Sequence, residues 1–152
     1  MPLPVEIEGK RGQIFASALR VFAEKGYHGA TIDDVAADAK VAKGTIYNYF
    51  KSKADLFTQV YTAVEAPIWA GLEQIKKSTP DPIERVRVCF LFWCQAMASF
   101  GKEAKVILDI WANSCCHPGE HEEVRQCYLS SCKRVLEEVR RDVDSAQEAG
   151  QI

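Results

Sequence analysis

Apolar residues recur at helical spacing along nearly the whole chain. Ile14, Phe15, Ala18, Leu19, Phe22 and Ala23 lie on one face of a helix expected over about residues 8–25. Gly26 follows where a left-handed C-terminal cap belongs. Thr31 precedes Ile32-Asp33-Asp34, so its hydroxyl can cap a second helix whose positive end the two carboxylates favour. That helix should end near Ala39. Val41 to Gly44 makes a brief connection, and Thr45 to Phe50 forms a third helix of barely two turns. Ser52, with Asp55 three residues on, restarts the chain in capping-box fashion. The fourth helix runs toward Lys77 and meets Pro67, which lacks an amide donor and should kink or end it.

Ser78-Thr79-Pro80-Asp81-Pro82 is the clearest boundary in the chain. Beyond it Ile83, Val86, Phe90, Trp93, Met97 and Phe100 are spaced alternately three and four apart, with Val88, Leu91 and Phe92 on other faces. A helix apolar nearly all round belongs at the centre of a bundle. Lys102 to Asn113 gives another helix, with Val106, Ile107, Ile110 and Trp111 inward. After a turn at Cys115 to Glu120, Val124, Tyr128, Cys132, Val135, Val139 and Val143 stripe a long helix ending near Ala149. Period-two alternation, internal repeats and low-complexity segments are absent from the sequence. The fold class is all-α.

A chain of 152 residues with 47% hydrophobic content can bury a sizeable core. The formal net charge of -2 excludes any argument for nucleic-acid binding from overall charge. The charge is segregated, however. Lys40, Lys43, Lys51 and Lys53 face only Asp55 between residues 40 and 55, whereas the stretch from Leu56 onward carries 11 basic and 14 acidic side chains. The six cysteines would suit a disulfide framework in a secreted chain, but Met1 to Gly12 has acids and no signal-peptide apolar run. Reduced thiols in the cytoplasm are expected. The longest uncharged run, Val88 to Gly101, has fourteen residues, short of the roughly 20 that cross a bilayer. It reads as a buried helix, and no membrane partner is expected.

Helix two, a tight connection and helix three make a helix-turn-helix, which places its second helix in the DNA major groove. Lys43-Gly44-Thr45 at the start of that helix suits the role, because glycine permits close approach and lysine reaches guanine or phosphate oxygens. The pattern alone fits an ordinary helical hairpin equally well. The stretch from Thr31 to Phe57, with its core G-T-I-Y-N-Y-F-K-S-K, resembles the TetR family of bacterial transcriptional regulators. Phe-Ala-Glu-Lys-Gly-Tyr at 22–27 extends the resemblance upstream, and it covers roughly residues 10–60. It implies a homodimeric repressor whose two headpieces enter successive major grooves of a roughly palindromic double-stranded operator.

Carried over by position, the resemblance implies that Lys43, Gly44, Thr45, Tyr47 and Tyr49 contact DNA from the recognition helix. Thr31 and Lys53 grip phosphates at helix starts, where backbone donors also favour anions. Ile46 and Phe50 are implied to be structural. Two positions depart from the family. Lys40 stands where glycine is usual and a left-handed turn is wanted, which should cost about 1 kcal/mol. Ala42 stands where serine or threonine is usual, removing a cap worth about 1 kcal/mol. The resemblance divides the chain into a DNA-binding domain over 1–52 and a helical ligand-binding and dimerisation domain over 53–152. By the same resemblance the second is expected to lack the last family helices, either as a truncated form or with a dimer built on the 121–149 helix.

In that second domain the family implies a pocket for a small effector, of unknown identity, whose binding moves helix four. Trp69, Phe90, Trp93, Phe100, Trp111 and Tyr128 are the candidate lining residues, although for each alone core packing is the simpler reading. Cys115-Cys116-His117-Pro-Gly-Glu-His121 carries suitable atoms for zinc but no standard ligand spacing. A loop of ordinary thiols is the expectation, and a metal or redox sensor the alternative. The pairs Cys89 and Cys94, and Cys127 and Cys132, read as small core residues. His28, His117 and His121 sit in no nucleophile motif, and the sequence has no phosphate-binding glycine loop, so neither an enzyme nor a cofactor is expected. A sensor module with a vestigial headpiece is the second reading of function.

Overall fold

The computed structural model describes Gly9–Ser99, Gly101, Val106, Leu108, Asp109, Ala112 and Glu122–Ile152. Phe100, Trp111, Cys115, Cys116, His117 and His121 lie outside the described residues, as do Ile107 and Ile110. Among the described residues six helices have defined bounds: α1 Gly9–Gly29, α2 Ile32–Asp38, α3 Lys43–Tyr47, α4 Lys53–Ser78, α5 Pro82–Ser99 and α6 Glu122–Glu148. Among the described residues there is no strand, and no helix is long and apolar enough to cross a membrane.

The chain divides into two compact units, Met1–Val64 with Phe100–Tyr128, and Glu65–Ser99 with Leu129–Ile152. In the first, the face predicted from periodicity is the core. Ile14, Ala18 and Phe22 of α1 have no exposure and meet Val35 of α2, Ile46 of α3, and Leu56, Phe57 and Val60 of α4, all equally buried. Phe22, Tyr27 and Phe57 form an aromatic cluster. The Phe22 and Phe57 rings meet edge to face at 4.9 Å, and Tyr27 and Phe57 at 4.7 Å, separations at which such pairs attract beyond their area burial. Val106 and Val124, from outside the first four helices, complete this core.

Gly26 departs from the expected left-handed α conformation. Its φ of 73° is positive, but its ψ of 174° puts it in a region essentially confined to glycine. The chain therefore kinks and makes one further turn to Gly29 instead of stopping.

The second unit holds the end of α4, all of α5 and most of α6. Its contacts include ion pairs and apolar packing, with Ile68 and Ala146 buried and the Phe92 ring against Gly71. Arg85 Nε lies 2.8 Å from Asp142 Oδ1, Lys76 pairs with Glu138, and the Arg134 guanidinium sits 4.0 Å above the Trp69 ring. Glu65 accepts from Ser131 Oγ at 2.7 Å and from the Trp69 indole at 3.4 Å. These contacts flank Pro67, and α4 runs through it to Ser78. A proline removes one intrahelical bond, which contacts on both sides outweigh.

Three expectations need correction. α5 does not lie buried: it contains no buried residue, and Phe90, Leu91 and Trp93 are 62%, 51% and 44% exposed. On α6 the predicted inward stripe holds for Val124, whereas Val135 and Val139 are each 42% exposed. Of the described cysteines, Cys94 is exposed and Cys89, Cys127 and Cys132 are only half-buried, so none is a fully buried core residue. Apolar periodicity marks the face that gains from cover without supplying the cover.

Candidate nucleic-acid interface

The short helix α3 depends on how α1 and α2 hold it. Arg20 reaches Asp38 at 2.6 Å and Lys25 reaches Asp34 at 2.6 Å, tying α1 to both ends of α2. Thr31 caps α2 in a reciprocal box. Its hydroxyl accepts from the Asp34 amide, and Asp34 Oδ2 accepts from the Thr31 amide at 2.9 Å and from its hydroxyl at 2.7 Å. Hydrogen bonding to Lys25 first, then to Thr31, lowers the Asp34 carboxyl to about 2.

α2 stops in a Schellman motif. The Val41 amide bonds the Ala36 carbonyl at 3.0 Å and the Lys40 amide bonds Ala37 at 3.2 Å. Lys40 takes the left-handed position with φ 52°, the only non-glycine residue with positive φ among the described residues. The Gln13 side chain donates to the Ala39 carbonyl at 2.8 Å, closing the same end. Ala42 then caps α3 with extended backbone and no side-chain hydrogen bond. Both family departures read from the sequence are therefore physical features of this turn.

Helical phase divides α3 and its exit. Ile46 and Phe50 have 0% and 1% exposure, and Tyr47 and Tyr49 have 49% and 43%. Lys43 and Gly44 are exposed and Thr45 is half-buried. A Cβ on Gly44 would meet nothing within 4 Å, so the surface there is open to an approaching backbone. The Lys43 ammonium pairs with Asp33 at 2.8 Å, and this hydrogen bond raises its pKa. Both side chains are more than half exposed, and such a pair is worth little against water or a phosphate.

Lys53 is placed differently from the expectation. Its Nζ donates to the Tyr27 carbonyl at 2.7 Å and to the Ala30 carbonyl at 3.0 Å, and lies 4.4 Å from the Tyr27 ring centroid. Burial lowers its pKa. An ammonium has three donors, and two of them close the end of α1 inside the headpiece. No sequence signal announces this, because a lysine at a helix start looks the same whichever way it turns. The Thr31 hydroxyl is likewise engaged in its own capping box.

Of the candidate effector residues, four are described. Trp69 lies half-buried under Arg134, while Phe90 and Trp93 are exposed. Tyr128 packs against the core of the first unit.

Two short helices in a tight turn, pinned to α1, with an outward face of lysine, glycine, threonine and tyrosine, define a helix-turn-helix headpiece. Residues 14–60 match the profile of the bacterial regulatory proteins of the tetR family. That match gives the headpiece as a TetR-family DNA-binding headpiece, over about a third of the chain. The chain is 35% identical over 78 residues to the transcriptional activator FasR of Mycolicibacterium smegmatis, covering 51% of this chain and 36% of that one. With the transcriptional regulator AcrR of Shigella flexneri it shares 26% identity over 145 residues, covering 95% of this chain and 67% of that one. The structure is similar to that of a candidate fatty acid metabolism regulator from Clostridium perfringens. The TM-score is 0.70 at 27% identity, covering 92% of this chain and 72% of that one. The chain thus spans between about a third and two thirds of the length of these two curated relatives.

Proposed function

We propose that this protein is a sequence-specific DNA-binding transcription regulator, a homodimeric repressor of the cytoplasm released from a roughly palindromic operator by a small-molecule effector. The observation that carries the reading is the division of α3. Ile46 and Phe50 anchor it in the core while Tyr47 and Tyr49 stand nearly half exposed beside Lys43, Gly44 and Thr45. Large aromatic residues left in water next to lysines, on an element too short to stand alone, fit a surface that presses on a groove. In this reading Lys43 and Thr45 reach base edges or phosphates, Gly44 lets the backbone close in, and the tyrosines contact sugar and phosphate. Thr31 and the third donor of Lys53 face the phosphates flanking the groove.

The region from residue 53 onward supplies effector binding and dimer contacts, with Trp69, Phe90, Trp93, Phe100, Trp111 and Tyr128 as candidate effector contacts. The test is titration of the protein's own upstream DNA across a range of salt, with a transcription readout for the direction of control. Lys43→Ala should weaken binding and flatten the salt slope by about one unit. Salt-independent, sequence-indifferent association would overturn the proposal.

A further inference from the structure

The corner between α1 and α2 is held by residues far along the chain. Gly26, with φ 73° and ψ 174°, leaves room beside the kink that no other residue leaves: a Cβ there would lie 2.3 Å from Asp109 Oδ2. That oxygen accepts the Tyr27 amide at 3.0 Å. The same tyrosine is 2% exposed, packs its ring on Phe57, and offers its carbonyl to Lys53. Three more residues act on this corner from beyond α4. Val106 and Val124 are 0% and 1% exposed in the headpiece core, and the negative charge of Glu123, after burial, raises the Tyr27 phenol. All of these residues belong to one compact unit.

We infer that Asp109 is a positioning residue for DNA binding: its carboxylate fixes the α1–α2 corner at Tyr27, and through the Tyr27–Lys53 contact the setting of α2 and α3. This rests on the DNA-binding reading above. It gives a residue 82 positions further along the chain a grip on the recognition helix through the end of α1, separate from the continuous α4. Displacing Asp109 frees the Tyr27 amide, loosens the corner that begins α2, and leaves α3 less well held for the groove. The DNA-contacting side chains themselves are untouched.

The experiment compares wild type, Asp109→Ala and Asp109→Asn as full chains by amide hydrogen exchange and by titration of upstream DNA. Exchange at Tyr27–Ala39 should accelerate about tenfold in Asp109→Ala, the size of one charge-assisted hydrogen bond. Exchange at Leu56–Val64 should be unchanged. DNA binding should weaken several-fold with the same salt slope, since no phosphate contact is lost. Asp109→Asn keeps a carbonyl acceptor for the Tyr27 amide and should restore most of both. Unchanged exchange at Tyr27–Ala39 in Asp109→Ala would overturn the inference. So would uniform acceleration through α1 and α4, which is plain destabilisation, or unaltered DNA binding in that variant. Should wild type bind no DNA, the functional reading falls, and the exchange comparison alone decides whether Asp109 sets the corner.

Discussion

Replacing Lys40 by glycine should make the protein more stable, although it removes a side chain and adds none. Lys40 occupies the left-handed position of the motif that ends α2, at φ 52°. For a residue with a Cβ that conformation costs about 1–2 kcal/mol. Glycine removes the strain but adds freedom to the unfolded chain, worth about 0.5–1 kcal/mol in the opposite direction. The exposed ammonium carries no ion pair among the described residues to be lost. The balance is a gain of roughly 0.5–1 kcal/mol, or a Tm rise of about 1–4 °C in a chain of this size. Urea unfolding followed by helical circular dichroism, with thermal melts alongside, measures it. Lys40→Ala serves as control, since alanine carries the same strain and should stay near wild type, while Lys40→Asn should fall between. A glycine variant no more stable than the alanine variant would refute the reasoning.

Ala42→Ser should stabilise by about 1 kcal/mol in the same urea assay, because the N-cap of α3 already has extended backbone and only lacks an acceptor. Combined with Lys40→Gly the two effects should fall short of additive if the shared turn relaxes. Asp34 is held low by Lys25 and Thr31, so its folded pKa lies below its unfolded one. Its stabilising contribution is complete above about pH 4 and is lost as pH falls toward 2. The stability difference between wild type and Asp34→Ala should therefore narrow over that window, and a constant difference would dismiss the capping-box account. Lys53→Ala should destabilise by about 1–3 kcal/mol, since two carbonyls lose their donor. An unchanged Tm would show that the ammonium is not engaged there. Asp33→Asn frees Lys43 and removes a negative charge beside α3, so upstream-DNA binding should tighten several-fold with a steeper salt dependence.

The features legible in the sequence were those decided within a few residues. The apolar face of α1, the Thr31 cap, the tight turn with its misfit Lys40 and uncapped Ala42, and the inward Ile46 and Phe50 all follow from local periodicity and cap chemistry. Each is found in the structure. The features that were not legible depend on partners distant along the chain. Asp109 and Tyr27 are 82 residues apart, and nothing about an aspartate in an apolar helix marks which amide it reaches. Lys53 looked like a surface cation, yet carbonyls 23 and 26 residues earlier claim two of its donors. Pro67 was a breaker by local rules, and contacts of Glu65 and Trp69 outweighed them. α5 failed for a related reason. Its spacing identified an apolar helix, but the Phe92 ring packs against Gly71 of α4 while Phe90 and Trp93 are left in water.

The most direct test of the central claim is the affinity of Tyr47→Ala for upstream DNA beside its melting temperature. Tyr47 is 49% exposed, so truncation should move the Tm by no more than about 1–2 °C, surface changes being worth about 0.5 kcal/mol or less. The account predicts at least about a tenfold loss of binding, in line with about 1.5–3 kcal/mol for a hydrogen bond to a charged phosphate. Unchanged DNA affinity in a variant with an unchanged melt would contradict it, because the exposed aromatic face of α3 would then have no part in recognition.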